Sequence, residues 1–300
     1  PISRVLSRLV RRSHPPTLIT LASRALREEC GLERGMGLLC AISGGPDSMA
    51  LLDVLAGLGP KLGFTLTAHG VDHGLRPEAA RELDLAERHA AGLGVPFSRT
   101  VVSVAPGGNL QARARSARYA ALEAARRATG ADLLATAHHA DDRAETVLLR
   151  LLRGSGPRGL AVLPPRAGER VRPLLRARRA DVLLHLSRHR VPFAEDPSNR
   201  DRRYQRVRVR EELVPLLTEL SPGIVEHLCA LADALGAAPD GLALEVGPLP
   251  LGRAQRKQLA RAVSHRSREA RIWLPGGRTL ALDRVTLKPH LLAQERPRKP

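Results

Sequence analysis

Six consecutive residues, Ser43-Gly44-Gly45-Pro46-Asp47-Ser48, bring two hydroxyls, a carboxylate and two glycines into the space of one turn. The set suits an anionic group. The glycines let backbone N–H groups approach without a Cβ in the way. A helix starting there adds unpaired N–H donors and the positive end of its dipole. Ser43 and Ser48 add hydroxyl donors, and Asp47 supplies a carboxylate able to hold Mg²⁺ against a phosphate. The Lys-Ser/Thr pair of the Walker loop is missing. The same residues also make an ordinary turn with Asp47 or Ser48 as helix cap.

A second cluster is Thr136-Ala137-His138-His139-Ala140-Asp141-Asp142-Arg143-Ala144-Glu145-Thr146. Asp141 and Glu145 are four apart, Asp142 and Glu145 three apart, so carboxylates share a helix face. Acids in a first helical turn also simply stabilise the dipole. Adjacent histidines beside them suit a metal, a phosphate or an amine nucleophile. Dedicated zinc binding is disfavoured there, because His-x-x-x-His face geometry is lacking in this motif. Arg115 and Arg118, three apart, can project together towards an anion. A fourth group is Glu195-Asp196-Pro197-Ser198-Asn199 with Arg202, Tyr204, Arg206, Arg208 and Arg210. Either arginine cluster also fits a merely solvated face.

Elements must position these groups. An apolar run of strand length, Leu39-Cys40-Ala41-Ile42, stops at the glycine turn, and a helix is expected over 47–56, closed by Gly57, Gly59 and Pro60. Strands are expected over 64–68, 97–104 and 132–137, alternating with helices over 78–91, up to 129 and over 141–153. The Gly-, Pro- and Arg-rich stretch 154–173 reads as a long loop, followed by helices over 178–190 and 202–220. Strand–helix alternation predicts an α/β fold, a mostly parallel sheet flanked by helices, with ligands at the strands' carboxyl ends. Ser221-Pro222-Gly223 breaks the pattern, so a catalytic domain over 1–220 and a smaller domain over 221–300 are expected. The latter is helical or α+β, with helical patterns at 224–235 and 254–265 and strand-like pieces around Pro275-Gly276-Gly277.

The net charge of +18 favours a polyanion such as nucleic acid as partner. Arginine supplies 44 of the 48 basic residues, and GC-rich coding would push composition the same way. With aromatics at only 2%, base stacking cannot carry RNA binding, so backbone charge and shape must. Cys30, Cys40 and Cys229 lie far apart, which argues against structural zinc or a disulfide scaffold and fits a reducing, cytoplasmic setting. No apolar run approaches the roughly 18 residues of a membrane span. The Arg-rich stretch 1–12 is expected as a leading basic helix, with an organelle presequence conceivable.

Ser-Gly-Gly-x-Asp-Ser resembles the PP-loop of ATP pyrophosphatases. With Val71-Asp72-His73-Gly74-Leu75-Arg76, Arg115-x-x-Arg118-Tyr119, the His-His-Ala-Asp-Asp block, Leu148-Leu149-Arg150-Leu151-Leu152-Arg153-Gly154-Ser155-Gly156 and Glu195-Asp196-Pro197-Ser198-Asn199, the ordered set resembles bacterial tRNA(Ile)-lysidine synthetases. The likeness covers about 37–217, and Leu274-Pro275-Gly276-Gly277 fits a family C-terminal domain. It implies ATP-dependent ligation of L-lysine to C2 of the wobble cytidine in the CAU anticodon of tRNA(Ile), through an adenylated cytidine.

On that resemblance Ser43, Gly44, Gly45, Pro46, Asp47 and Ser48 bind ATP, with Mg²⁺ at Asp47. Asp142 and Glu145 hold the lysine or a second metal, and His138 is a general base or adenylate contact. Arg115 and Arg118 stabilise charge on the phosphoryl group or cytidine, while Arg206, Arg208 and Arg210 hold the tRNA backbone. A homodimer is compatible with it. Arg143 stands where the family commonly has Gln and Val207 where it has Asn, and an acid near Gln111 is missing. Rival expectations are a tRNA thiolase, which would need a cysteine pair, a small-molecule PP-loop synthetase, and a catalytically silent RNA-binding protein.

Overall fold

The computed structural model describes residues 16–72, 74, 78–103, 110–194 and 201–237, together with three strands between 271 and 292. Two compact units divide the chain, Pro1–Gly236 and Ala237–Pro300. The first therefore reaches past the expected boundary at 220. The reason is the last helix of that unit, Ile224–Ala237, which seats Val225, Leu228, Cys229 and Ala232 in one apolar cluster with Ala144, Val147 and Leu148.

The first unit is built on a sheet of order β3-β2-β1-β4-β6-β5. Its strands are β1 (Gly37–Ile42), β2 (Thr65–Asp72), β3 (Phe97–Val101), β4 (Leu133–Ala135), β5 (Arg166–Ala167) and β6 (Arg170–Val171). All pairings are parallel except the β5–β6 hairpin. Strand β1 alternates between two cores: Leu38, Cys40 and Ile42 face one, and Leu39 faces the other with Val71, Leu122 and Leu134. Burial on both faces is what a parallel sheet covered by helices demands.

Among the described residues the α-helices are α1 (Leu18–Glu28), α2 (Pro46–Leu62), α3 (Glu78–Gly92), α4 (Leu110–Ala128), α5 (Ala140–Leu152), α6 (Pro157–Leu160), α7 (Arg179–His189), α8 (Gln205–Arg208), α9 (Val214–Leu220) and α10 (Ile224–Ala237). Helix α2 runs past the expected stop at Gly57 and carries Pro60 inside it. Its true end is Gly63, whose left-handed backbone (φ 75°) caps the helix through a bond to the Gly59 carbonyl. Strand β2 is longer than expected and β3 and β4 shorter. The segment expected as a loop over 154–173 contains α6 and the β5–β6 hairpin, whose strand β6 pairs with β4.

The basic helix begins at Gln205 rather than 202, and a π turn, Val209–Leu213, separates α8 from α9. The second unit shows an antiparallel sheet, β7 (Arg271–Leu274), β8 (Arg278–Leu282) and β9 (Pro289–Leu292), in the order β7-β8-β9. Its strand-like pieces are thus strands; the helix expected over 254–265, like the basic stretch 1–12, lies outside the described residues.

Candidate active site

Strands β1 and β4 are neighbours, yet the chain leaves β1 towards β2 and returns to β4 on the other side. Crevices at such reversals, outside the strands' carboxyl ends, are where open α/β sheets bind ligands. The glycine turn follows β1 and the histidine–carboxylate block follows β4. Ser43, Asp47, Ser48, Arg118, His138 and Asp142 accordingly line one cleft of about 200 Å³.

The turn is fixed from within. Ser48 Oγ accepts the Ser43 backbone N–H at 3.2 Å and donates to the Gly45 carbonyl at 3.0 Å. Gly44 has φ 79°, and a Cβ there would lie 2.7 Å from the Glu82 carbonyl oxygen, so glycine is required. Pro46 opens α2 without needing an N–H partner, and a helix start of this kind leaves first-turn N–H groups as general anion donors beside the cleft. Burial, and after it the neighbouring Asp142, raise the Asp47 pKa against the opposing effect of His139.

His139, passed over by the sequence reading in favour of His138, is the better-placed imidazole. It is fully buried and caps α5: the Asp142 N–H donates to its Nδ1 at 3.4 Å, and its own N–H donates to Asp142 Oδ2 at 3.2 Å. Its Nε2 has no hydrogen-bond partner and sits 3.6 Å from Asp47 Oδ1 and 3.5 Å from Asp142 Oδ2. A buried histidine between two carboxylates was legible in principle, since its position directly before Ala140-Asp141-Asp142 is that of a helix cap.

His138 is within hydrogen-bond distance of Thr136 Oγ1 (3.1 Å), and burial pushes its pKa down to about 3. It therefore stays neutral at physiological pH and is a poor proton acceptor. Burial thus weighs against the expected general-base role, while its place in the cleft lining suits the other, a contact.

The carboxylates separate by face. Asp141 turns away, accepting the Arg179 backbone N–H at 2.7 Å and pairing with Arg178 at 3.2 Å, and so tethers α7. Asp142 and Glu145 face the arginines of the basic helix. Arg206 donates to Asp142 Oδ1 and to Glu145 Oε2, both at 2.8 Å. Arg210 donates to Glu145 Oε1 at 2.6 Å. Burial alone would raise the Asp142 pKa, but His139 and Arg206 outweigh it and the net shift is downward.

Arg206 and Arg210 were expected to hold the tRNA backbone; here both guanidiniums are paired with buried acids. Arg208 alone of the three points outward, pairing with Glu212 one turn on at 3.0 Å. Arg115 and Arg118 do come together, at 5.1 and 5.5 Å from the Tyr119 ring centroid, and Arg170 of β6 covers the same ring at 4.2 Å. Burial lowers the Arg118 pKa without changing its charge at physiological pH. The 195–199 motif and His73, Leu75 and Arg76 lie outside the described residues.

The PP-loop domain family matches residues 19–217. A curated tRNA(Ile)-lysidine synthase from Thermobifida fusca is 40% identical over 268 residues, covering 85% of this chain and 82% of that protein. The chain belongs to the tRNA(Ile)-lysidine synthase family. Family proteins of the same description from Leifsonia xyli and Thermotoga maritima are 42% and 37% identical, covering 71% and 67% of this chain. The chain spans 66% of the former and half of the latter. The fold is also that of a U34-tRNA thiolase from Methanococcus maripaludis, with TM-score 0.61 and 20% identity over 74% of this chain and 81% of that one.

Proposed function

We propose that this chain ligates lysine to C2 of the wobble cytidine in a CAU-anticodon tRNA(Ile), using ATP. The observation that carries it is the convergence of Ser43, Asp47 and Ser48 of the glycine loop with Asp142 on one cleft, behind which Glu145 shares Arg206 with Asp142. In the first step the C2 oxygen of the cytosine attacks the α-phosphorus, and the bond to pyrophosphate breaks. The glycine turn and the α2 N-terminus hold the pyrophosphate as its charge develops. In the second step the lysine ε-nitrogen bonds to C2, AMP leaves with the C–O electron pair, and the amine loses a proton.

Mg²⁺ fits the donor set: Asp47 and Asp142 meet beside the unpaired His139 Nε2, and burial with carboxylate proximity raises the Asp47 pKa. Held by Asp47 and Asp142, it would neutralise phosphate charge. An ammonium entering beside Asp142 and Glu145 must take the place of a guanidinium. The displaced arginine is then free to meet phosphate, which reconciles the expected lysine site with the arginines now filling it. Arg115, Arg118 and Arg170 form the cationic wall suited to the adenylate or cytidine. Outward Arg208 remains a tRNA-backbone candidate.

Thiolation by this chain's own cysteines is disfavoured, because Cys30, Cys40 and Cys229 are buried in separate places and burial raises all three thiol pKa values. The deciding assay supplies ATP, Mg²⁺, labelled lysine and total bacterial tRNA, with alkali treatment to strip aminoacyl esters. Surviving label that needs ATP and vanishes when CAU-anticodon isoleucine tRNA is removed supports the reading. Pyrophosphate release without surviving label would keep adenylation and reject lysine as the nucleophile.

A further inference from the structure

Away from the nucleotide cleft, four titratable side chains from three helices meet at one point. Asp53 of α2 accepts or shares a hydrogen bond with His185 Nε2 of α7 at 2.8 Å, through Oδ2. Its other oxygen, Oδ1, lies 3.7 Å from His89 Nε2 of α3. His189, four residues and one turn beyond His185, stacks on it with ring centroids 4.2 Å apart. A single Asp53–His185 hydrogen bond explains only half of this. It leaves His89 Nε2 buried with no hydrogen-bond partner and gives no reason for His189 to lie over the pair.

We propose that Asp53, His185 and His189 form a binding site for a zinc-class divalent ion. One ligand atom from each lies within 4.8 Å of the other two. Donors about 2.0–2.2 Å from zinc in a tetrahedron stand roughly 3.5 Å apart, so side-chain rotations of about 1 Å close the set. Two imidazoles one helical turn apart are a frequent zinc pair, and two nitrogens with a carboxylate favour zinc, nickel or cobalt over Mg²⁺ or Ca²⁺. His89 Nε2, 3.7 Å from the second carboxylate oxygen, stands where a small shift would let it support that ligand, as groups behind a metal ligand do. His189 is exposed, so the ion has a path in and water can complete the shell.

The consequence is mechanical. Helix α2 begins at the glycine turn, and the start of α7 is tied to Asp141. A metal would pin the far end of α7 to α2, bracing both sides of the nucleotide cleft.

The test is titration of the metal-stripped full chain with Co²⁺, followed by Zn²⁺ competition. Visible absorption of four-coordinate Co²⁺, displaced by one equivalent of Zn²⁺, is expected. Because His189 is exposed, His189→Gln should fold normally, lose that equivalent and raise the Zn²⁺ Kd at least tenfold; His185→Gln should do the same. His89→Gln should weaken binding less. No saturable Co²⁺ signal at micromolar metal would overturn the proposal. So would a signal that survives His189→Gln but disappears in Asp47→Asn, since the ion would then sit in the nucleotide cleft.

Discussion

The contact between Asp142, Glu145, Arg206 and Arg210 is electrically balanced but sterically lopsided, and this predicts an asymmetric response to mutation. The Glu145 side chain is 2% exposed, whereas those of Arg206 and Arg210 are 40% and 28% exposed. Removing both guanidiniums by Arg206→Ala/Arg210→Ala strands a buried carboxylate. Breaking a buried pair from the side that leaves its charge behind costs about 3–5 kcal/mol. Glu145→Gln leaves cations that can turn to water and keeps an amide oxygen to accept their hydrogen bonds, so about 1 kcal/mol is expected.

Arg210→Ala alone lies between, at about 2 kcal/mol, because Arg206 still serves Glu145. Urea unfolding of the four proteins at neutral pH measures all three differences. A Glu145→Gln cost larger than that of the double arginine variant would refute the argument, as it would mean the arginines depend on the acid rather than the reverse. In the lysine-incorporation assay, Arg210→Ala should depress kcat and not merely raise the KM for tRNA. An effect confined to the tRNA KM would return Arg210 to an RNA-facing role.

Gly44→Ala forces an unfavourable φ and a 2.7 Å approach to the Glu82 carbonyl oxygen, so a loss of about 2 kcal/mol and of ATP binding is expected; wild-type ATP affinity would show that the turn is not the phosphate site. Asp47 has a raised pKa, so its charge costs stability that is absent below the ordinary aspartate pKa and develops as pH rises through the raised one. Asp47→Asn should therefore melt higher than wild type at neutral pH without nucleotide or Mg²⁺, with the gap closing on acidification; a lower-melting variant at neutral pH contradicts the electrostatics. Asp233→Asn should cost about 3 kcal/mol, because Arg143, 2% exposed and 2.7 Å from Asp233, would lose its counter-ion. Arg143→Gln should cost less, since Asp233 keeps Arg176 at 2.5 Å, and the reverse ranking in urea would discard this account of Arg143.

The parts of the fold that sequence made legible were those governed by local rules. Alternating apolar strands and amphipathic helices, and a glycine turn between Ile42 and Asp47, identify a parallel sheet with its ligand end. The extent of α2 was misread because Gly57, Gly59 and Pro60 each oppose a helix locally, while the buried Leu55 and Leu58 hold it together through tertiary packing. Strand β6 was missed because two residues, Arg170 and Val171, carry no period at all; only the neighbouring edge of β4 makes them a strand. The unit boundary was misplaced for a related reason. Ser221-Pro222-Gly223 interrupts the helix, but it does not say whether the next apolar face returns to the same core.

The arginines of the basic helix raise the deeper limit. Spacing put Arg206 and Arg210 on one face but could not say towards what that face turns. Val207 and Val209 are buried, and Val209 packs in the cluster containing Leu148 and Leu228, which fixes the rotation of the segment. The π turn over Val209–Leu213 carries Arg210, which reaches Glu145, while Arg206 reaches it from the preceding helix. One constraint was nevertheless available without coordinates. Asp142 and Glu145 share a helix face with Leu149, four residues beyond Glu145, whose burial commits that face to the interior, and buried carboxylates need cations. The surplus positive charge of a +18 chain is assigned arginine by arginine only after that internal demand has been met, and here it takes Arg206 and Arg210 first.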